Sequence, residues 1–365
     1  MKRPHILRNV FSYSKRLGVN YEPFYFVYSQ SRNAAARSDT LLKPQRPLIT
    51  RMSAFPSPNS RRFAASLCLA ACAVLSGFTA RGEEPAITHS YVAFGAATEI
   101  ISDKGELLWK YPASTRDGWM LPNGNLLLAL SKNKDYPGGA VIEVTREMKV
   151  LFEYKGTQSE VNTAQLLPSG NIMLTEAGDK PRILEVDREG KIVVEVALQC
   201  QNTNHHMESR MARKLPNGNY LVPQLFDKVV REYTPEGKIV WEFKTPEQPK
   251  DSWPFTAIRI PNGNTIVNLT HGNSVVEVNP EGKVVWECSN ADLPDVFKDP
   301  CGAQWLPNGN LIITSYAAKG DAIKLFEINR EKKIVWSRQD GKSHGIHEFQ
   351  ILDTNGKPLE GTIYR

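Results

Sequence analysis

Short apolar runs alternating with turn residues dominate the chain from about residue 90 onward, and they recur at a fixed period. The clearest marker is P-x-G-N, which occurs in full five times. It reads L-P-N-G-N from Leu121, Leu215 and Leu306, L-P-S-G-N from Leu167 and I-P-N-G-N from Ile260; a degraded sixth copy, L-D-T-N-G-K, starts at Leu352. The steps are 46, 48, 45, 46 and 46 residues, within the range of propeller blades. Proline presets φ for a type I turn and glycine supplies a left-handed position, so each motif predicts a tight hairpin. An apolar strand follows each full copy, as in Leu126-Leu127-Leu128 and Leu311-Ile312-Ile313.

A second turn, (Asp/Asn/Thr)-x-x-Gly-Lys, comes about 20 residues later, at Asp187, Thr234 and Asn279. Asp103-Lys104-Gly105 reads as a version one residue shorter, and Met148 and Lys332 stand where glycine is expected, at a small local cost. Strands such as Val141-Ile142-Glu143-Val144 precede this turn, and runs ending in an aromatic residue follow it, as in Val284-Val285-Trp286. Each repeat therefore predicts four strands, A to D. The chain enters with strands B, C and D of one blade (Tyr91 to Tyr111) and returns at the end with strand A (about His347 to Leu352). The predicted fold is all-β: a six-bladed β-propeller of four-stranded antiparallel blades, closed by joining the two ends.

Residues 1–82 do not carry the repeat. Arg61-Arg62, the apolar run Phe63 to Gly77 and the small-residue end Ala80-Arg81-Gly82 read as a secretory signal over 52–82, with Met52 as a natural start. Residues 1–51 then read as a start-site overextension or a disordered basic leader, and 83–365 as the propeller. The expected location is periplasmic or secreted. Leu69-Ala70-Ala71-Cys72 offers lipid anchoring as a lesser alternative, against which Ala73-Val74-Leu75 continue the apolar run. No transmembrane segment is expected in the mature chain, because the apolar run is short.

The leader also decides the charge. The whole chain has 45 Lys+Arg and 39 Asp+Glu, of which residues 1–82 hold 13 and 2, leaving 32 basic and 37 acidic side chains. The net positive charge thus belongs to the leader and gives no argument for nucleic acid as a partner. Cys200, Cys288 and Cys301 remain after processing. Cys288 and Cys301 bracket one loop, which is compatible with a disulfide or with two separate thiols. No C-x-x-C occurs.

The repeat assigns loops to faces. A–B and C–D turns share one face; the longer B–C and D–A loops share the other, with His205, His206, His271, His344 and His347, while His89 lies elsewhere. Around the channel mouth this places Arg116, Asp117, Trp119, Glu160, Asn162, His206, Glu208, Arg210, Asp251, Trp253, Asp299, His347 and Glu348. Such a mixture suits a small-molecule or protein ligand. Candidate catalytic residues are His206, Arg210 and His347; candidate ligand-binding residues are Trp119, Glu208, Trp253, His271 and Glu348. His206, Glu208, His344, His347 and Glu348 have metal-binding chemistry but lack the spacing of an established site, so no metal is predicted. Trp109, Phe152, Trp241, Trp286 and Trp336 recur at one position and read as packing between blades. Glu143, Glu185, Glu232, Glu277 and Glu327 read as a repeat feature of a half-exposed strand.

The segments Asp103-Lys104-Gly105-Glu106-Leu107-Leu108-Trp109 and Pro280-Glu281-Gly282-Lys283-Val284-Val285-Trp286 resemble the PQQ-like β-propeller repeat. Together with P-N-G-N they look like its arylsulfotransferase-related branch, over nearly all of residues 90–352. Quinoprotein dehydrogenases of that superfamily have eight blades and a vicinal cysteine pair, both missing from this sequence, so PQQ is not expected and no cofactor is predicted. The resemblance implies a sulfuryl-handling channel in which His206, Arg210, His271 and His347 are compositional counterparts, without a residue-by-residue match and without that family's additional N-terminal domain. The expected function is an exported ligand- or protein-binding or scaffold module. The alternative is a group-transfer or hydrolytic enzyme with His206 or His347 as base or nucleophile and Arg210 as anion clamp.

Overall fold

The computed structural model describes residues 86–201, 204–342 and 345–365; the leader, the signal segment and His344 lie outside the described residues. Six antiparallel sheets are present, each with four strands in sequential spatial order except the closing one. That sheet takes strand A from Glu348–Thr354 and strands B to D from His89–Phe94, Thr98–Ile101 and Leu107–Tyr111. Tyr91 pairs with Ile351 and Val92 with Gln350, so the two ends of the ring are joined in one sheet as the repeat count predicts. A short strand, Lys357–Pro358, adds to the inner side of this sheet. Among the described residues no helix is long and apolar enough to cross a membrane.

Both turns form as their residues dictate. In every full P-x-G-N copy the glycine N–H donates to the carbonyl of the residue opening the motif, as in Gly124 to Leu121 and Gly309 to Leu306, both 2.9 Å. The glycines hold φ between 83° and 89°, which only glycine adopts without strain. At the C–D turn the leading side chain caps the loop, as where Asp187 Oδ1 accepts the Lys191 N–H at 2.8 Å. Met148 and Lys332 adopt φ of 66° and 62° in place of glycine. The turn read as shortened at Asp103 is full length: it opens at Ser102, whose carbonyl accepts the Gly105 N–H and whose Oγ accepts the Glu106 N–H. Serine can cap as Asp or Thr does.

The core is divided among the seams. One apolar cluster joins Leu127, Val141 and Phe152 of one blade to Val161, Leu174 and Leu184 of the next, and equivalent clusters fill the other five seams. The aromatic residue ending strand D belongs to these seams. Trp109, Trp241 and Trp286 donate their indole N–H to a turn carbonyl of the neighbouring blade, at Arg146, Pro280 and Arg330.

The recurring glutamates differ from the expectation. They are buried, at 0–5 % exposed, and serve as latches between blades. Glu143 pairs with Arg188, Glu185 with Lys214, Glu232 with Arg259, Glu277 with Arg330 and Glu327 with His89, always across a seam. The last residue of P-x-G-N holds most of these carboxylates from its own blade: Asn125, Asn219, Asn264 and Asn310 donate to Glu143, Glu232, Glu277 and Glu327. The strand alternation hinted at exposure because neighbouring blades, which cover that face, are invisible in one repeat. Glu232→Ala, which leaves Arg259 and two asparagine amides without their acceptor, is expected to cost about 1–3 kcal/mol. Urea unfolding would check this against Glu236→Ala on the exposed C–D turn; equal midpoints would refute the latch.

Candidate functional site

The innermost strands converge on the axis, and the turn motif supplies a register for them. Five residues ahead of the residue opening each motif stand Arg116, Asn162, Arg210, Phe255, Cys301 and His347, one per blade. Bulges occur at this level: the register shifts between Thr115 and Asp117, Val161 and Thr163, Pro254 and Thr256, and Pro300 and Ala303. A bulge re-aims a side chain. Arg116, Arg210, Phe255, Cys301 and His347 all line one cavity of about 610 Å³, on the face opposite the P-x-G-N turns. Two residues further out, Ser114, Trp253, Asp299 and Gly345 form an upper tier, and His206, His271 and Tyr316 reach in from the loops.

His347 is held on three sides. Its Nδ1 lies 2.9 Å from the Arg116 carbonyl, so Nδ1 carries the proton and Nε2 keeps a lone pair. Phe255 and Tyr316 pack edge-on against the ring at 5.0 and 5.4 Å. Burial, with Arg210 and Arg116 nearby, pushes its pKa down to about 3, so the ring is neutral at pH 7.

Arg210 is 1 % exposed. Its Nη1 donates to the Ser209 carbonyl at 2.8 Å, and the guanidinium lies 6.0 Å from the Phe255 ring centre. Burial pulls its pKa down to about 9. Glu160 is engaged elsewhere: Arg116 at 3.1 Å, Lys132 at 3.3 Å and His206 Nδ1 at 3.1 Å. Burial works against its ionisation, but His206 and Arg116 outweigh it and bring its pKa to about 2.

Of the sequence candidates, His206, Arg210, Trp253, His271 and His347 are thus brought to one cavity. His206 sits on the rim in a single 3-10 turn, His205–Met207, exposed and bound to Glu160. His271, at φ 57°, packs at a tilt against Trp253 with ring centres 4.2 Å apart, with Nε2 3.8 Å from Asp299. Glu208, Trp119 and Glu348 lie outside the cavity lining. Glu208 is buried and accepts the Gly178 N–H at 2.9 Å, fixing a neighbouring loop. Trp119 lies deeper in the channel, its face 4.1 Å from the Arg365 guanidinium.

Glu348 belongs to a buried group with Asp117, Arg213 and Arg365. Arg365 Nη2 binds Asp117 at 2.7 Å and its Nη1 lies 3.5 Å from Glu348. Burial pushes the Glu348 carboxyl up, against the pull of Arg365. Gly302 leaves room for it; an added Cβ would come 2.7 Å from Glu348 Oε1. Cys288 and Cys301 are separate free thiols, both pushed up by burial. Among the described residues no three His, Cys, Asp or Glu side chains cluster to hold a metal.

Phe255, Cys301 and Tyr316 were missed by sequence reasoning, which looked for charged, histidine, asparagine and tryptophan side chains. The offset of five from each turn motif would have found the first two.

No family model or curated protein matches this chain. Solved structures do. A protein of unknown function from Bacteroides caccae aligns with TM-score 0.63 at 25 % identity, covering 75 % of this chain and all of that one. Virginiamycin B lyase from Staphylococcus aureus, in a catalytically inactive histidine-to-alanine variant with quinupristin, aligns at 0.52 with 16 % identity, covering 72 % and 92 %. A streptogramin B lyase aligns at 0.51 with 14 % identity, covering 71 % and 86 %. What this chain shares with the two lyases is the β-propeller fold.

Proposed function

We propose that the chain is an exported propeller of PQQ-like repeat type whose channel mouth binds a small molecule, and that His347 acts on it as a general base. The observation that carries this reading is the convergence of five of the six equivalent inner-strand positions on one cavity. A scaffold needs no such wall. The cavity size suits a small organic molecule. Export rests on the sequence of residues 52–82, and the repeat type on the G-K-x-x-W pattern.

The enzymatic part rests on the fixed tautomer of His347. A neutral imidazole with Nδ1 tethered presents Nε2 as a proton acceptor; Arg210 and Arg116 hold its basicity down, and an anionic substrate beside them would raise it. Arg116 and Arg210 supply positive charge where an oxyanion would develop. Group transfer, hydrolysis and elimination all use this pairing; an arylsulfotransferase-like reaction is one member of the class.

The test is a panel of aryl esters, lactones and aryl sulfates offered to residues 83–365, followed by Trp fluorescence and product release. The expected outcome is a turned-over compound for which His347→Ala lowers kcat by about 100-fold or more with binding little changed. His206→Ala, on the rim, should change kcat far less. Binding without turnover of any compound would reduce the reading to a binding module. A panel in which nothing binds would defeat it.

A further inference from the structure

The cavity wall is divided. Blades one to three contribute Arg116, Asn162 and Arg210 to the ring of equivalent positions; blades four and five contribute Phe255 and Cys301, with Trp253 above and Tyr316 beside them. The polar half is under-satisfied. Arg116 Nε, Arg210 Nε, Ser209 Oγ and both amide atoms of Asn162 are buried without a hydrogen-bond partner among the described residues. Buried polar groups are normally paired, and an exception needs an explanation.

Arg210 is the sharpest exception. A buried cation ordinarily sits beside a carboxylate. None lies within ion-pair distance of Arg210 among the described residues, because Glu160 serves Arg116, Lys132 and His206. With Nη1 taken by the Ser209 carbonyl, the unfilled edge is Nε with Nη2. That edge is a side-on fork whose two parallel donors match the two oxygens of a planar carboxylate. Leaving the imidazoles aside, the fixed charges at the mouth are Arg116, Lys132 and Arg210 against Glu160 and Asp299, one positive charge in excess. That balance accepts a monoanion. The opposite half presents the ring faces and edges of Trp253, Phe255 and Tyr316, with Thr270, His271 and Asp299 beside them.

We propose that the ligand of this mouth is an aromatic monocarboxylate, its carboxylate on the Nε–Nη2 edge of Arg210 and its ring against Trp253, Phe255 and Tyr316. This rests on the reading of the mouth as a small-molecule site and adds the charge, the shape and the orientation of what it takes. The ring lies on the side of blades four and five.

The test uses four probes on residues 83–365: 2-naphthoate, 2-naphthamide, 2-naphthyl phosphate and cyclohexanecarboxylate, titrated by calorimetry and Trp fluorescence at pH 7.5. The naphthoate is expected to bind about 10- to 100-fold more tightly than the amide, the loss expected when a charge-assisted contact is removed. It should also exceed the dianionic phosphate and the non-aromatic acid. Arg210→Met should bring naphthoate down to the affinity of the amide and leave the amide unchanged. Arg210→Lys, which keeps the charge but not the fork, should fall between. Equal affinity for naphthoate and naphthamide, or an Arg210→Met variant that still prefers the acid, overturns the carboxylate assignment while the mouth remains a ligand site. Preference for the phosphate overturns the monoanion. Failure of all four to bind overturns the assignment and counts against the reading beneath it. Should Arg210→Met not fold, the wild-type ranking and Arg210→Lys decide.

Discussion

Asp117→Ala is expected to be the most destabilising single substitution in the channel, costing about 3–5 kcal/mol. Asp117 is fully buried, and its two oxygens accept from Arg213, Arg365, Thr163 and the Gly118 and Ala164 N–H groups. Burial works against its ionisation, yet Arg213 and Arg365 hold the carboxyl below the usual range. Without it, two buried guanidinium groups face each other, with Glu348 the remaining side-chain carboxylate beside Arg365 among the described residues. Uncompensated buried charge is among the few mechanisms that produce effects this large. The measurement is urea unfolding of the purified propeller, or its Tm, which should fall by roughly 10 °C. Asp117→Asn, which keeps part of the bonding, should cost less. A loss below about 1 kcal/mol in the alanine variant would show that Glu348 alone neutralises the group.

Acid should destabilise the protein through His347, with a window set by its two states. The folded imidazole stays neutral down to about pH 3, whereas in the unfolded chain it takes a proton near the ordinary pKa of about 6.5. Between those values the unfolded state binds the extra proton, so stability falls as pH falls. By pH 4.5 the loss should be about 2.5 kcal/mol. Glu160 adds a second slope further down, because its stabilising contribution is present above its ordinary value of 4.5 and is lost as pH falls towards about 2. His347→Gln should therefore flatten the dependence from pH 6.5 to 4.5 and keep the steeper fall below it. Unfolding free energies of both proteins at pH 7, 5.5 and 4.5 would check this. Parallel curves would mean that the ring is protonated in the folded protein.

Much of the fold was legible because its information is local and repeated. Each P-x-G-N carries its own φ requirements, and the same turn recurring five times, with a degraded sixth copy at the same period, multiplies a weak signal into a blade count. The aromatic series was legible for the same reason. The glutamates were misread because their burial is supplied by the neighbouring blade, which no single repeat contains. The turn at Ser102 was misread because Asp103 is the stronger turn former by composition, while the hydrogen bonds choose the residue that closes the register.

The site divides in the same way. Loop assignment put His206, Arg210, Trp253, His271 and His347 on one face from sequence alone, since strand direction fixes which end of a blade each loop occupies. Depth along the axis was not available. Trp119 stands two residues ahead of the turn motif at Leu121, towards the opposite face; Glu348, next to His347 on its strand, joins the buried group with Arg365, and Glu208 is turned to the Gly178 N–H.

The sequence by itself determined the number of blades, the joining of the two ends and the face on which the irregular chemistry lies, because these follow from period, turn chemistry and strand direction. Only the tertiary structure decided which groups share a cavity, which carboxylates are latches and which buried cation has no carboxylate within ion-pair distance among the described residues. Those are distances between residues up to 250 positions apart, and they exist only once six blades have closed around an axis.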